Sequence, residues 1–118
     1  MHGFRTLICP ADGALINDER AATDILGDAF GHDAEVVVIP VSRLSADFFR
    51  LSTRIAGEIM QKFVTYRRLL VVVGDIAEHV EASKALRDLV FESNRGEHVW
   101  FLPDLAALEE RLSRRQPV

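Results

Sequence analysis

Two short stretches of this chain are apolar at every position, Val36 to Ile39 and Leu69 to Val73. A run of this kind, rich in β-branched residues, has no polar face to offer solvent. It predicts a strand buried on both sides, as in a parallel sheet covered by helices. Between the two runs the pattern changes period. Phe48, Leu51, Ile55, Ile59 and Phe63 recur at helical spacing and predict one buried helix face. Two starts fit that helix. Ser45 can cap it, or Ala46 to Arg50 forms a separate short turn and the main helix begins near Ser52-Thr53, ending in either case near Tyr66.

The same reading extends to the ends. Thr6 to Cys9 is a first strand stopped by Pro10, Asp12-Gly13 is a turn pair, and Ala14 to Ile16 is a short second strand, the hairpin partner of the first. Asn17 is the expected cap of a helix from Asp18 to Phe30, with Gly31 as its stop. Glu35 to Ile39 is the third strand. Val80 to Ser93 reads as a helix ended by Asn94-Arg95-Gly96, and His98 to Leu102 as the last strand. Asp104 caps a final helix with Leu105, Leu108 and Leu112 inward, and the tail after Ser113 is expected to fray. Trp100 and Phe101 are successive strand residues, so they face opposite sides of the sheet; one is a candidate apolar contact for a partner. The elements form a single α/β domain over residues 1–118, with a mixed, mostly parallel sheet of about five strands and about four helices, its opening hairpin an antiparallel edge.

Composition narrows the partners. The chain has 118 residues with 14 basic and 18 acidic, a net charge of −4. Its basic clusters, Arg67-Arg68 and Arg114-Arg115, are too short for a nucleic-acid-binding face, so no nucleic acid is expected. No apolar run approaches the ~18 residues of a membrane span, and no signal-peptide core follows Met1, so a cytoplasmic protein without membrane contact is expected. Cys9 is the single cysteine, which excludes an internal disulfide; it reads as a small buried hydrophobe. The four histidines are scattered, and Asp75, Glu78 and His79 fall short of a metal set, so no metal and no cofactor is expected. Neither a Gly-rich phosphate loop nor a nucleophile–histidine pattern is present, and no catalytic residue is assigned.

Several polar residues stand at places where chemistry or contact occurs. Gly74-Asp75 ends a buried strand, at the rim where open α/β sheets bind ligands. Glu92, Ser93 and Asn94 close the following helix and can line a pocket with that pair. Ser45 and Asp47 sit at the start of the central helix, and Glu58 pairs in sequence with Arg54 at i,i+4, predicting a surface ion pair. Ser52 and Thr53 are the candidate phosphorylation sites, because a phosphoryl group over a helix N-terminus meets free N–H groups.

Two stretches, DFFRLSTRIAGEIMQKFVTYRRLLVVVGD and DLVFESNRGEHVWFLPDLAALEERL, resemble a bacterial family catalogued as domain of unknown function 4180. Asp47-Phe48-Phe49, Ala56-Gly57-Glu58, Gln61-Lys62-Phe63, Gly74-Asp75 and Glu92-Ser93-Asn94 carry the likeness. Members often place Gly directly after the Thr, in TGLAGE-like runs; here Arg54 stands there. The layout is also similar to STAS domains, the fold of anti-anti-sigma factors, in which a buried strand leads to a phosphorylatable Ser at a helix start. Leu51-Ser52-Thr53-Arg54-Ile55 occupies the comparable place without the Asp and Gly of the STAS run. Arg54 in place of that Gly favours an unbroken helix from Ser45.

The STAS resemblance implies a non-enzymatic regulatory or protein-interaction module, docking an unknown protein partner around Ser42 to Thr53. It also implies a homodimer formed through the Ala14–Ile16 strand or a helix face. The alternative is a small-ligand binder or minor enzyme with its site at the strand ends, where Gly74-Asp75 lies.

Overall fold

In the computed structural model, which describes residues 1–115, the two all-apolar runs lie side by side at the centre of the sheet. Four strands, β1 (Thr6–Ile8), β2 (Val36–Pro40), β3 (Leu69–Val73) and β4 (Val99–Leu102), pair in the order β1-β2-β3-β4. All three pairings are parallel, with Val38 opposite both Ile8 and Val71, and Val71 opposite Trp100. The sheet is therefore wholly parallel and has one strand fewer than the sequence suggested.

The missing strand is the hairpin partner. Ala14 to Ile16 does not double back along β1. Arg43 draws the loop across the end of β2 instead, donating from Nε to the Ala14 carbonyl at 2.8 Å and from NH1 to the Pro10 carbonyl at 2.9 Å. Ile16 then makes one isolated parallel bridge to Leu44 and buries its side chain. A Cβ on Gly13 would stand 2.7 Å from Arg43 Cζ, so a larger residue there would press the guanidinium away from these carbonyls.

Six helical segments connect and cover the strands: α1 (Glu19–Gly31), α2 (Ala46–Phe49), α3 (Ile55–Thr65), α4 (Ala77–Ala82), α5 (Lys84–Arg95) and α6 (Leu105–Ser113). They outnumber the expected four because two predicted helices are broken. Ser83 separates α4 from α5 in an extended conformation, and its hydroxyl accepts from the Leu86 N–H at 3.1 Å, starting a fresh helix. The central helix is broken at Arg54, as described below. Caps moved as well. Asp18 rather than Asn17 caps α1, accepting from the Ala21 N–H at 2.9 Å, and α1 runs through Gly31 to its cap at His32. Asp104 caps α6 as the sequence indicated. That helix closes at Ser113; of the tail expected to fray, residues 116–118 lie outside the described residues.

Two apolar clusters sandwich the sheet. On one face Val37, Ile39, Leu70, Val72 and Phe101 pack against Leu26 of α1, Ile59 and Phe63 of α3, and Leu86 of α5. On the other, Val36, Val38, Val71 and Trp100 meet α6, through Leu108 and Leu112, with Met1 and Phe4 filling in beside them. Trp100 and Phe101 do point to opposite faces. Both are buried, so neither offers the partner contact considered for one of them. Trp100 donates from its indole N–H to the Gly96 carbonyl at 2.9 Å, and the Arg111 guanidinium lies 3.8 Å from its ring centroid, pinning α6 to the sheet. Desolvation at that contact lowers the Arg111 pKa.

Candidate functional site

The carboxyl ends of the strands and the segments that leave them hold most of the candidate residues. After β2 the chain makes a 3₁₀ turn (Val41–Arg43), then α2, then a second 3₁₀ turn (Leu51–Thr53). Arg54 follows at φ 66°, ψ 2°, in the left-handed region, and α3 begins at Ile55. Of the two starts open from sequence, the separate short turn is the one adopted, with the main helix opening slightly later than Ser52. The break is closed by local bonds: the Arg50 and Arg54 N–H groups turn back to the Asp47 and Leu51 carbonyls, at 3.2 and 3.1 Å, and the Thr53 hydroxyl lies against the Asp47 and Arg50 carbonyls. The left-handed residue turns the chain between α2 and α3. Arg54 adopts the conformation that glycine takes most readily.

This break rearranges the expected site. Arg54 is the cap residue of α3 rather than a member of its first turn, and among the described residues no ion pair links it to Glu58. Ser45 stands at the cap position of α2 without capping it; its hydroxyl is bonded to Asn17 Oδ1. Asp47 lies 3.6 Å from Arg50 NH1. Thr53 is tied down: its Oγ1 lies 2.7 Å from the Asp47 and Arg50 carbonyls and accepts from the Ile55 N–H at 3.3 Å. Ser52 is exposed, and its hydroxyl has no hydrogen-bond partner among the described residues. It borders a cleft of about 520 Å³ together with Arg50, His79 and Ser83. His79 stacks on Phe49 there, with ring centroids 4.1 Å apart and planes at 9°, clamping α4 to α2. The sequence had set His79 beside Asp75 instead.

Gly74, Asp75 and Asn94 do meet, in an open groove of about 510 Å³ between α4, α5 and the end of β4. Phe91 and Arg87, which the sequence reading passed over, also line it. Gly74 has φ 140°, and a Cβ there would lie 2.8 Å from Val41 Cγ2. Asp75 Oδ1 accepts from the Ala77 N–H at 2.9 Å. Asn94 donates to the Phe101 carbonyl at 3.1 Å and accepts from the Phe101 N–H at 2.7 Å. It therefore occupies the place of a neighbouring strand on the outer edge of β4. Glu92 does not join this groove. It borders another, of about 390 Å³, with Gly57, Gln61 and Ser93 between α3 and α5.

Glu58 lies on the outer side of α3, in the largest concavity of the group, about 760 Å³, with Leu51, Arg54, Gly57, Gln61 and Lys62. Gly57 is exposed, and nothing stands within 4 Å of where its Cβ would be. Among the described residues no group of three or more His, Cys, Asp or Glu is placed to hold a metal ion. No helix among them is long and apolar enough to cross a membrane. Cys9 is buried, and its pKa is raised, chiefly by that burial, with Arg43 opposing and Asp28 adding to the shift.

Residues 1–112 match the family model described as Domain of unknown function (DUF4180). The chain belongs to that family. No curated protein and no solved structure matches it. The resemblance to STAS domains gains no support from these comparisons. At Arg54, where the sequence resemblance led us to expect glycine, the chain turns left-handed, the conformation that glycine takes most readily.

Proposed function

We propose that this DUF4180 protein is a non-enzymatic, cytoplasmic regulatory or protein-interaction module. Its docking surface is the segment from Ser42 to Thr53 together with the outer face of α3. The observation that carries this reading is Gly57. A glycine inside a helix costs about 0.5–1 kcal/mol relative to alanine, and among the described residues no neighbour stands within 4 Å of where its Cβ would be. A flat spot on an exposed helix, beside a concavity bordered by Leu51, Arg54, Glu58 and Lys62, suits close approach by a partner's backbone. Of the two hydroxyls considered for phosphorylation, Ser52 suits a regulatory role better. Its hydroxyl is free, and Arg50 and His79 border the same cleft. Thr53 already holds the α2–α3 junction.

Gly57→Trp plugs this surface without touching the core. Cross-linked capture from source lysate should recover a partner with the natural protein and lose it with Gly57→Trp, at a melting temperature no lower than the natural protein's. Equal capture by both proteins, or no specific capture at all, argues against this surface.

A second reading, a small-ligand binder or minor enzyme, draws on the meeting of Gly74, Asp75 and Asn94 in one groove beneath the exposed Phe91 ring. A thermal-shift screen against nucleotides and metabolites tests it, and a flat response counts against it. Self-association belongs to the same proposal, through a different edge from the one first considered. Asn94 seals β4, whereas the outer edge of β1 is left open beside the exposed Ile8. Light scattering should report more than the 13.2 kDa chain at high concentration and return to it in Ile8→Lys.

A further inference from the structure

We propose that the concavity at the amino-terminal ends of the strands binds a small organic phosphate, a phosphomonoester with a compact apolar body. The two basic pairs that look like scattered surface charge in the sequence lie 47 positions apart, counted from Arg68 to Arg115. The fold brings Arg67, Arg68 and Arg115 to one concavity of about 540 Å³, with His98 beside them. Phe4, Val64 and Leu69 supply apolar wall. The volume suits a small metabolite, and the mix of apolar wall with a few polar groups is that of a ligand site. In a chain of net charge −4 this gathering of cations is local. Two carboxylates also line the concavity. Glu97 is matched to Arg115, 2.6 Å away, although the N–H there does not point squarely at the oxygen. Glu35 is exposed and opposes an anion.

Two further observations point to a ligand. The first is Arg67. Helix α3 ends in a Schellman motif, with the Arg68 N–H bonded to the Phe63 carbonyl at 3.0 Å and the Arg67 N–H to the Val64 carbonyl at 3.1 Å. The residue between helix and strand in this motif is left-handed and usually glycine. Arg67 holds that place at φ 55°. The chain keeps a cation where glycine would sit with less strain, and strained residues of this kind concentrate at ligand sites. The second is Arg68. Its NH1 reaches the Tyr66 and Arg67 carbonyls, both at a long 3.3 Å, and its guanidinium carbon lies 4.4 Å from the Phe30 centroid. Its Nε is buried and has no partner among the described residues. Capping the end of α3 accounts for NH1 and leaves the Nε–H without an acceptor. With the guanidinium turned out from over the Phe30 ring, a phosphate oxygen supplies one, and arginine is well suited to it.

The test uses phenyl phosphate, inorganic phosphate and phenol as probes, followed by calorimetric titration and by the His98 ring resonances. Phenyl phosphate should bind most tightly, inorganic phosphate more weakly and phenol not at all, with the His98 resonances moving on saturation. Arg67→Gly should weaken phenyl phosphate about tenfold, the loss of one charge-assisted hydrogen bond, while raising the melting temperature of the unliganded protein. Glu35→Gln should tighten binding by removing the opposing carboxylate. The opposite signs of the two effects of Arg67→Gly separate a ligand contact from a merely structural arginine. Equal affinity in Arg67→Gly, binding that leaves His98 unmoved, or no binding of phenyl phosphate by the folded protein would each overturn the proposal.

Discussion

Arg54→Gly should stabilise this protein. Arg54 sits at φ 66°, ψ 2°, between the 3₁₀ turn of Leu51–Thr53 and the start of α3. A left-handed conformation costs a residue with a Cβ roughly 1–2 kcal/mol. Glycine escapes that cost but gains entropy in the unfolded chain, which removes about 0.4–1 kcal/mol of the benefit. The Arg54 side chain is exposed and forms no ion pair or hydrogen bond among the described residues, so its removal gives up little. The net gain is about 0.5–1 kcal/mol, or about 2–4 °C in melting temperature for a domain of this size. Arg54→Ala is the control. It deletes the same side chain and keeps the Cβ, so it should leave stability near that of the natural protein. Urea unfolding of the three proteins, read by circular dichroism, makes the comparison. If Arg54→Gly is no more stable than Arg54→Ala, then the break between α2 and α3 is not the strained turn described here.

Gly74→Ala should destabilise by about 2 kcal/mol or more, since its new methyl meets Val41 Cγ2 at 2.8 Å at a φ of 140°. Adding Val41→Ala should restore part of the lost melting temperature, leaving the backbone strain and the 2.9 Å contact with the Cβ of residue 41. Asn94→Ala strips both bonds from the Phe101 backbone and should cost about 1–3 kcal/mol, with faster hydrogen exchange at the Phe101 amide. Asn94→Asp should not rescue it, because a second carboxylate oxygen would face the Phe101 carbonyl. Burial raises the Cys9 pKa, so the folded state favours the neutral thiol. That contribution is complete below the unfolded thiol pKa, about 8.5, and is lost as pH rises through the higher folded value. Unfolding free energy should therefore fall on going to alkaline pH, and less so in Cys9→Ala. Ser52→Glu should leave the melting temperature nearly unchanged, while Thr53→Glu should lower it by breaking the contacts with Asp47 and Arg50; equal effects would contradict the assignment of Thr53 as the junction's tie.

The residues of β2 and β3 determined their own fate. Val36 to Ile39 and Leu69 to Val73 carry no polar side chain, so no solvent-facing side exists for them and the centre of a covered parallel sheet is where they belong. Asp104 and the leucines behind it likewise wrote α6 into contiguous residues. Gly74, Asp75 and Asn94 could be brought together on paper because each stands at the end of an element whose direction the alternation of strand and helix implies. The rest depended on contacts between residues far apart in the chain. Arg43 reaches back 29 positions to the Ala14 carbonyl and turns a predicted hairpin into a strap. Arg54 reads as a helix residue by composition, yet it is left-handed, just after a turn whose Thr53 hydroxyl lies against the Asp47 and Arg50 carbonyls. Asn94 looks like a helix terminator until β4 arrives beside it with an unpaired edge. Arg67, Arg68 and Arg115 become one cluster only once α3 and α6 end at the same rim of the sheet. Local periodicity reports which face of a segment is apolar. Which segments share a rim, and which backbone groups are left needing a partner there, is decided only by how the layers pack.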